Sequence, residues 1–264
     1  MKIGFIGAGN MAGAIIRGMV GGGFRGSDIL IYDTDSAKMV ALFEECGVSI
    51  CSSGTEVAGL ADAVVLAVKP QVFPVVLPEL SPVLHRRRPL VISIAAGKTL
   101  EAIESLLGAG LAVVRVMPNI AAKVGEAMSA FCGNSLTGEE EKSIVRLIFE
   151  AAGEVMELDE KLFSVFSALA GCSPAFTLLY VDALAQAGVK YGLPKGVALK
   201  VASQAVLGTT RLLQESGEHP RALADQVCSP GGTTIEGVCA LQREGFEAAV
   251  QAAVDASLEK DRRL

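Results

Sequence analysis

The turn Phe5-Ile6-Gly7-Ala8-Gly9-Asn10-Met11-Ala12-Gly13 leaves a chain like this few ways to fold. An apolar strand, Lys2 to Ile6, runs into a helical pattern, Met11 to Val20, with only a glycine turn between them. Gly7 permits the tight turn, Gly9 removes a side chain where a pyrophosphate approaches, and small Ala12 at the third position lets helix pack on strand. This is the G-x-G-x-x-G/A dinucleotide fingerprint, with its strand before it and its helix after it. Asp33 ends the second strand about 20 residues further on, where a carboxylate accepts hydrogen bonds from the adenosine ribose; a turn or cap aspartate fits the same place. Such an acid repels a 2'-phosphate, and no arginine lies among Thr34 to Lys38, so NADH is favoured over NADPH, with Lys38 the one group in reach of a phosphate.

The elements that follow keep the same rhythm. Ile29 to Tyr32, Val48 to Cys51, Ala63 to Val68, Leu90 to Ile94 and Leu111 to Met117 read as strands, and Ser36 to Cys46 reads as a helix. The strands are continuously apolar and rich in valine and isoleucine, as burial on both faces of a parallel sheet demands. The fold class is therefore α/β, a Rossmann-type doubly wound sheet. Pro74, Pro78 and Pro82 predict a broken helix or loop between Gln71 and Leu84. Arg86-Arg87-Arg88, between His85 and Pro89, reads as a solvated loop. Ala127 to Cys132 and Glu154 to Leu158 are expected as late, antiparallel strands around a helix from Thr137 to Ala152.

Beyond Asp159 the pattern is helical throughout, which divides the chain into a dinucleotide-binding domain, 1–159, and an all-helical C-terminal domain, 160–264. Helices are predicted from Pro174 to Gly192, from Pro194 to about Glu215, and over Arg221 to Val227, Thr233 to Arg243 and Phe246 to Leu258. Ala175 to Val189 carries few polar residues on any face, so it is buried either between subunits or at the centre of a monomer. Composition bounds the function. The chain has 264 residues, 51% of them hydrophobic, and a net charge of −6, which argues against a nucleic-acid binder. No run reaches the roughly 20 uninterrupted apolar residues of a membrane helix. Met1-Lys2 leads straight into a strand rather than a signal peptide, and six cysteines without metal-site spacing point to reduced thiols, no metal site and a cytoplasmic protein.

Ser229-Pro230-Gly231-Gly232-Thr233-Thr234 opens one of the late helices. Glycines let consecutive amides face one point, and the positive end of the helix dipole favours a carboxylate or phosphate there; an ordinary turn and cap is the alternative. Taken with Asn10-Met11, Ala67-Val68-Lys69-Pro70, Met117-Pro118-Asn119 and Asp225-Gln226-Val227-Cys228, this hexapeptide gives the chain a resemblance to the pyrroline-5-carboxylate reductase family over nearly its whole length. The resemblance implies hydride transfer from NADPH or NADH to the C=N carbon of 1-pyrroline-5-carboxylate, giving L-proline. It implies that Gly7, Gly9, Asn10, Met11, Ala12, Asp33, Ala67, Val68, Lys69, Pro70, Ala95 and Asn119 bind the cofactor. It further implies that Ser229, Gly231, Gly232, Thr233 and Thr234 hold the substrate carboxylate, with the Thr234 hydroxyl at the imine nitrogen as the catalytic group. A homodimer or an assembly of dimers is expected, with interlocked helices and the substrate loop meeting a nicotinamide of the neighbouring subunit.

Such a reaction asks little of acid-base groups, which suits a chain whose two histidines, His85 and His219, lie outside any catalytic motif. The chain departs from the family pattern in two places. Ala170-Gly171-Cys172-Ser173-Pro174-Ala175 replaces the common Ser-Gly-Ser-Gly-Pro-Ala, and Gly54 stands where many members carry a cofactor-touching asparagine. Cys172 is either a small buried residue or a reactive thiol. A related imine or 3-hydroxyacid dehydrogenase is the first alternative; the hydroxyacid enzymes generally use a lysine that Gly171 to Leu184 lacks. A non-catalytic dinucleotide-binding regulator is the second, and it predicts a broken substrate loop, whereas the loop is intact.

Overall fold

A computed structural model describes residues 1–261. The strands are β1 (Ile3–Ile6), β2 (Ile29–Tyr32), β3 (Ser49–Ile50), β4 (Ala63–Leu66), β5 (Leu90–Ser93), β6 (Val113–Met117), β7 (Ala127–Gly133) and β8 (Gly153–Glu157). They form one sheet in the order β3-β2-β1-β4-β5-β6-β7-β8. The first six are mutually parallel; β7 is antiparallel to β6 and β8 parallel to β7, so the two late strands run against the rest as the sequence predicts. The helices among them are α1 (Asn10–Gly21), α2 (Ser36–Cys46), α3 (Gly54–Leu60), α4 (Phe73–Arg87), α5 (Leu100–Leu107), α6 (Glu139–Phe149) and the short α7 (Phe163–Phe166).

Both faces of the sheet are covered, which is why its strands carry no polar alternation. Ile3, Phe5, Ala63 and Val65 face a core built with Ile15, Ile16 and Met19 of α1 and Ile148 and Phe149 of α6. Ile6, Val64 and Leu66 face the opposite core, with Val57 of α3, Leu77, Leu80 and Leu84 of α4 and Ile103 of α5. On β6 Arg115, itself buried, donates from Nη1 to Glu160 at 3.0 Å and lies over the Phe163 ring at 4.5 Å. The same Glu160 oxygen accepts the Leu100 amide, so one carboxylate ties the segment after β8 to a strand and to α5. Burial there pushes the neighbouring Cys132 thiol up to about 12, keeping it uncharged.

Two expectations fail in α4. Residues 73–87 form a continuous helix, and Arg86 and Arg87 belong to its last turn, closed by Arg88 in the left-handed region (φ 54°). Pro74 sits in the first turn, where no amide is needed, and Pro78 and Pro82 follow at four-residue steps on the exposed face. Phe73, Leu77, Leu80 and Leu84 form the buried stripe, and its burial outweighs the amides that the prolines remove. Cations in the last turn also complement the helix dipole. His85 is no free loop residue: its ring nitrogens meet the Ser81 and Ala109 carbonyls at 2.9 and 3.0 Å.

The chain divides into two compact units, one of Met1–Gly171 and one beginning at Cys172. The second is helical: α8 (Ser173–Lys190), α9 (Lys195–Ser216), α10 (Pro220–Val227), α11 (Thr233–Arg243) and α12 (Phe246–Asp261). These bounds match the predicted helices to within about three residues. In α8 only Ala185 is buried, while Leu178 and Leu179 are 69% and 71% exposed. Within the helical run Glu160–Lys190 an 18-residue window with a mean hydropathy of 1.7 is apolar enough, by length and composition alone, to cross a membrane.

The α4 account makes a prediction. Leu77→Ala should destabilise the fold by about 2–5 kcal/mol, the range for a buried leucine. Pro78→Ala should cost nothing, because it restores an amide on the solvent face. Melting followed by circular dichroism reads both, and a loss at Pro78→Ala comparable to that at Leu77→Ala would contradict the account.

Candidate active site

The sheet changes direction between β1 and β4, since β2 and β3 extend it one way and β4 to β6 the other. Ligands of open α/β sheets bind outside the carboxyl ends of the strands at such a switch point. The glycine fingerprint and Ala67-Val68-Lys69-Pro70 stand on its two sides. Gly7 has φ 104°, its amide donates to the Tyr32 carbonyl at 2.7 Å, and a Cβ added there would come within 2.6 Å of the Ala67 carbonyl oxygen. Only glycine can occupy that point. At Gly9 the reverse holds: a Cβ would meet nothing within 4 Å.

Helix α1 begins on Gly9 with no side-chain cap and no acid in its first turn, so the amides of Asn10 and Met11 point outward without a side-chain partner. By contrast α2, α3 and α5 are capped by Asp35, Ser53 and Thr99. An uncapped, positively polarised helix start beneath a residue without a side chain suits a pyrophosphate, and by this test the residues present fit a dinucleotide.

Asp33 is only 14% exposed at its side chain. One carboxylate oxygen accepts the Ala8 amide at 2.7 Å and the other the Asp35 amide at 2.8 Å. The first task of this acid is thus to brace the glycine turn; each oxygen keeps a second lone pair for a hydroxyl donor. The Lys38 ammonium lies 3.3 Å from Asp35 and 4.0 Å from Asp33, so its charge is already answered by two acids. Beside them a cavity of about 170 Å³ is lined by Ala8, Gly9, Asn10, Gly13, Arg17, Lys38, Ala41 and Leu42. Arg17 in its wall is paired with Glu45 at 2.8 Å, which holds the guanidinium pKa above its ordinary value and the Glu45 carboxyl below its own. Arg17, Ala41 and Leu42 are absent from the sequence reading, although Asn10, Gly13 and Arg17 repeat at helical spacing from the fingerprint onward.

The remaining predicted cofactor residues fall along the carboxyl edge. Met11 packs against the core and Ala12 is buried under the sheet. Lys69 is exposed and Val68 half-buried just past β4, while Pro70 opens a single 3-10 turn. Ala95 is buried past β5, its amide on the Ser93 hydroxyl at 3.3 Å. Asn119 follows β6, with its Oδ1 accepting the Ala121 amide at 3.2 Å and its Nδ2 donating to the Ala170 carbonyl at 2.9 Å. Both ends of that amide are used within the protein, a role the sequence reading missed.

The hexapeptide lies in the second unit. Gly232 donates to the Ser229 carbonyl at 3.0 Å, with Pro230 and Gly231 (φ 66°) at the central positions, the type II pattern. A Cβ on Gly232 would meet the Ser229 hydroxyl at 2.3 Å, so the serine side chain would have to turn away to admit one. Helix α11 then starts with no side-chain cap. Ser229, Gly231, Thr233 and Thr234 are exposed and Gly232 partly so. A second helix start without a side-chain cap is thereby presented, flanked by three hydroxyls and with Glu236 in its first turn.

Fold and site together define a dinucleotide-dependent oxidoreductase with a helical association unit. Residues 2–97 match the family described as NADP oxidoreductase coenzyme F420-dependent, and residues 160–264 match pyrroline-5-carboxylate reductase dimerisation. The chain is 40% identical to a pyrroline-5-carboxylate reductase of Escherichia coli (strain K12), over 100% of this chain and 98% of the relative. A solved pyrroline-5-carboxylate reductase from Coxiella burnetii superposes with a TM-score of 0.95 at 32% identity, covering 99% of this chain and 97% of the other. That of Plasmodium falciparum, with NADP bound, superposes with 0.88 at 30% identity over 100% and 97%. The chain belongs to the pyrroline-5-carboxylate reductase family.

The two glycines of the fingerprint are expected to separate stability from binding. Gly7→Ala should lower the melting temperature markedly, whereas Gly9→Ala should leave it unchanged and weaken NADH binding by about tenfold or more, the scale of a 1.4 kcal/mol loss. Circular dichroism and nicotinamide fluorescence titration read the two; an unfolded Gly9→Ala chain would contradict the open cradle.

Proposed function

We propose that this chain reduces the C=N bond of 1-pyrroline-5-carboxylate to L-proline as a homodimer or an assembly of dimers in the cytoplasm, with residues 160–264 as its dimerisation and substrate-binding region. The observation that carries the substrate assignment is the uncapped start of α11 behind the Ser229–Gly232 turn. Its amides at Gly231, Gly232, Thr233 and Thr234, with the Ser229 hydroxyl, hold the imine carboxylate. The exposed apolar faces of α8 support a second copy of the chain as their cover.

A bound reduced nicotinamide dinucleotide supplies the hydride. The chain's own residues bind and align. Gly9, Asn10, Met11 and Ala12 take the pyrophosphate and Asp33 the adenosine ribose. Ala67, Val68, Lys69, Pro70, Ala95 and Asn119 line the cleft at the carboxyl edge of the sheet. The imine carbon accepts the hydride while the nitrogen keeps the proton that made it electrophilic, and the Thr234 hydroxyl orients that nitrogen. No strong acid is required, because a protonated imine is already activated and the rate comes from alignment. The paired state of Lys38 and the two acids beside it support NADH over NADPH, since a 2'-phosphate would enter a site whose one nearby ammonium is already engaged.

Oxidation of NADH dependent on 1-pyrroline-5-carboxylate, followed at 340 nm, tests the activity; tight dinucleotide binding with no turnover would favour a regulator instead. Thr234→Ala should lower turnover by about a hundredfold or more while leaving NADH affinity unchanged, the size expected when the reacting atoms lose their alignment. Unchanged steady-state rates in that variant would remove Thr234 from the site. Asp33→Asn keeps an acceptor for the Ala8 amide but loses the charge, and should raise the NADPH-to-NADH ratio of kcat/KM by about tenfold. A ratio that stays put would show that the acid does not select the cofactor.

A further inference from the structure

Two helix faces meet beside the glycine turn. Asn10, Gly13 and Arg17 recur at helical spacing on α1, Lys38, Ala41 and Leu42 do the same on α2, and the cavity next to Asp33 lies between them. Glu45 stands seven residues after Lys38, on the same face of α2, and accepts from Arg17 Nε across the gap at 2.8 Å. Asn10 and Lys38, in the first turns of their helices, form the mouth at the carboxyl edge of the sheet. Arg17 and Glu45, about 10 Å further along each axis, close the far end. The Arg17 side chain leans back towards the mouth, the direction helical side chains take: its Nη1 lies 2.9 Å from the point that a Cβ on Gly13 would occupy. Glycine at 13 thus makes the bed for the guanidinium. The pair is half-exposed, with side chains 48% and 49% accessible, so it contributes little to the stability of the fold.

We infer that this cavity is a subsite for a ribose 2'-phosphate that Glu45 keeps closed: Arg17 is the group that would read the phosphate, and Glu45 is a positioning residue that holds it back. A guanidinium offers paired N–H donors to a phosphate, which the Lys38 ammonium at the mouth, answered by Asp33 and Asp35, does not match. While Glu45 holds Nε, the guanidinium is tied to the far end and its charge is balanced there. Freed from Glu45, the side chain can extend past Gly13 towards the mouth, where a phosphate on the ribose at Asp33 would stand. Two acids then select the cofactor from different depths, Asp33 at the ribose and Glu45 behind it. The inference rests on the placement of the ribose and the preference for NADH proposed above, and its test is read by binding, with no imine present.

Dissociation constants of NADPH and NADH, from nicotinamide fluorescence titration, are compared for the parent chain, Glu45→Ala, Arg17→Gln and the double variant. Glu45→Ala should tighten NADPH by about tenfold, the scale of a new charge-assisted hydrogen bond, and change NADH by less than about twofold, since NADH carries no 2'-phosphate. Removing a carboxylate also weakens a general repulsion, and the double variant separates the two causes: without Arg17 the gain in NADPH affinity should vanish, the coupling expected of groups that share one partner. Arg17→Gln alone should leave NADPH affinity within about twofold of the parent, because the guanidinium is already engaged. The inference is overturned if Glu45→Ala tightens both dinucleotides equally or neither, if the gain survives in the double variant, or if Arg17→Gln by itself weakens NADPH by about tenfold. Melting followed by circular dichroism confirms that each variant is folded. A parent chain that binds NADPH more tightly than NADH sinks the proposed preference, and the dependence of the Glu45→Ala gain on Arg17 still decides the subsite.

Discussion

The close approach of β1 and β4 at Gly7 is the constraint on which the rest depends. A parallel sheet that switches direction between these strands must open a crevice at their carboxyl ends, and the backbone leaving β1 must turn there at once. It does so at φ 104°, against the Ala67 carbonyl, where a methyl group has no room. The turn aims α1 at the crevice with its first amides unclaimed, and Asp33 reaches over from the end of β2 to hold the Ala8 amide. Strand order, glycine, helix start and acid are one device.

Charge around this device is the ground on which the proposed preference for NADH rests. Asp33 and Asp35 outnumber Lys38 and leave a net negative charge, and Arg17 is spent on Glu45. A neutral ribose loses nothing by entering such a neighbourhood, whereas a phosphate must displace an acid to gain a cation. The proposed carboxylate site at α11 differs in that proline and glycine set the geometry of its Ser229–Gly232 turn, the helix that follows has no side-chain cap, and Glu236 stands in its first turn.

How much of this was legible follows from the range of each interaction. The fingerprint, the apolar strands and the proline-led helices depend on neighbours a few residues away, and all were readable. Helix α4 was misread because its prolines are local while the stripe of Phe73, Leu77, Leu80 and Leu84 acts through the sheet. Asn119 was read as a cofactor residue from the family resemblance, and its hydrogen bond within the protein was not foreseen. Its partner carbonyl at Ala170 is 51 residues off, and no spacing rule connects them. Arg115 and Glu160 escaped notice for the same reason.

The amino-acid sequence by itself determined the α/β class, the glycine turn, the acid after β2, the hydroxyl-rich start of α11 and the resemblance to the reductase family, because each rests on short-range steric and patterning rules. Only the tertiary structure decided which groups each side chain serves. It put Asp33 on the Ala8 amide, Lys38 between two acids and Asn119 on the Ala170 carbonyl. Hydrogen-bond partners are chosen by distance in space, which a sheet of eight strands reorders completely from distance along the chain.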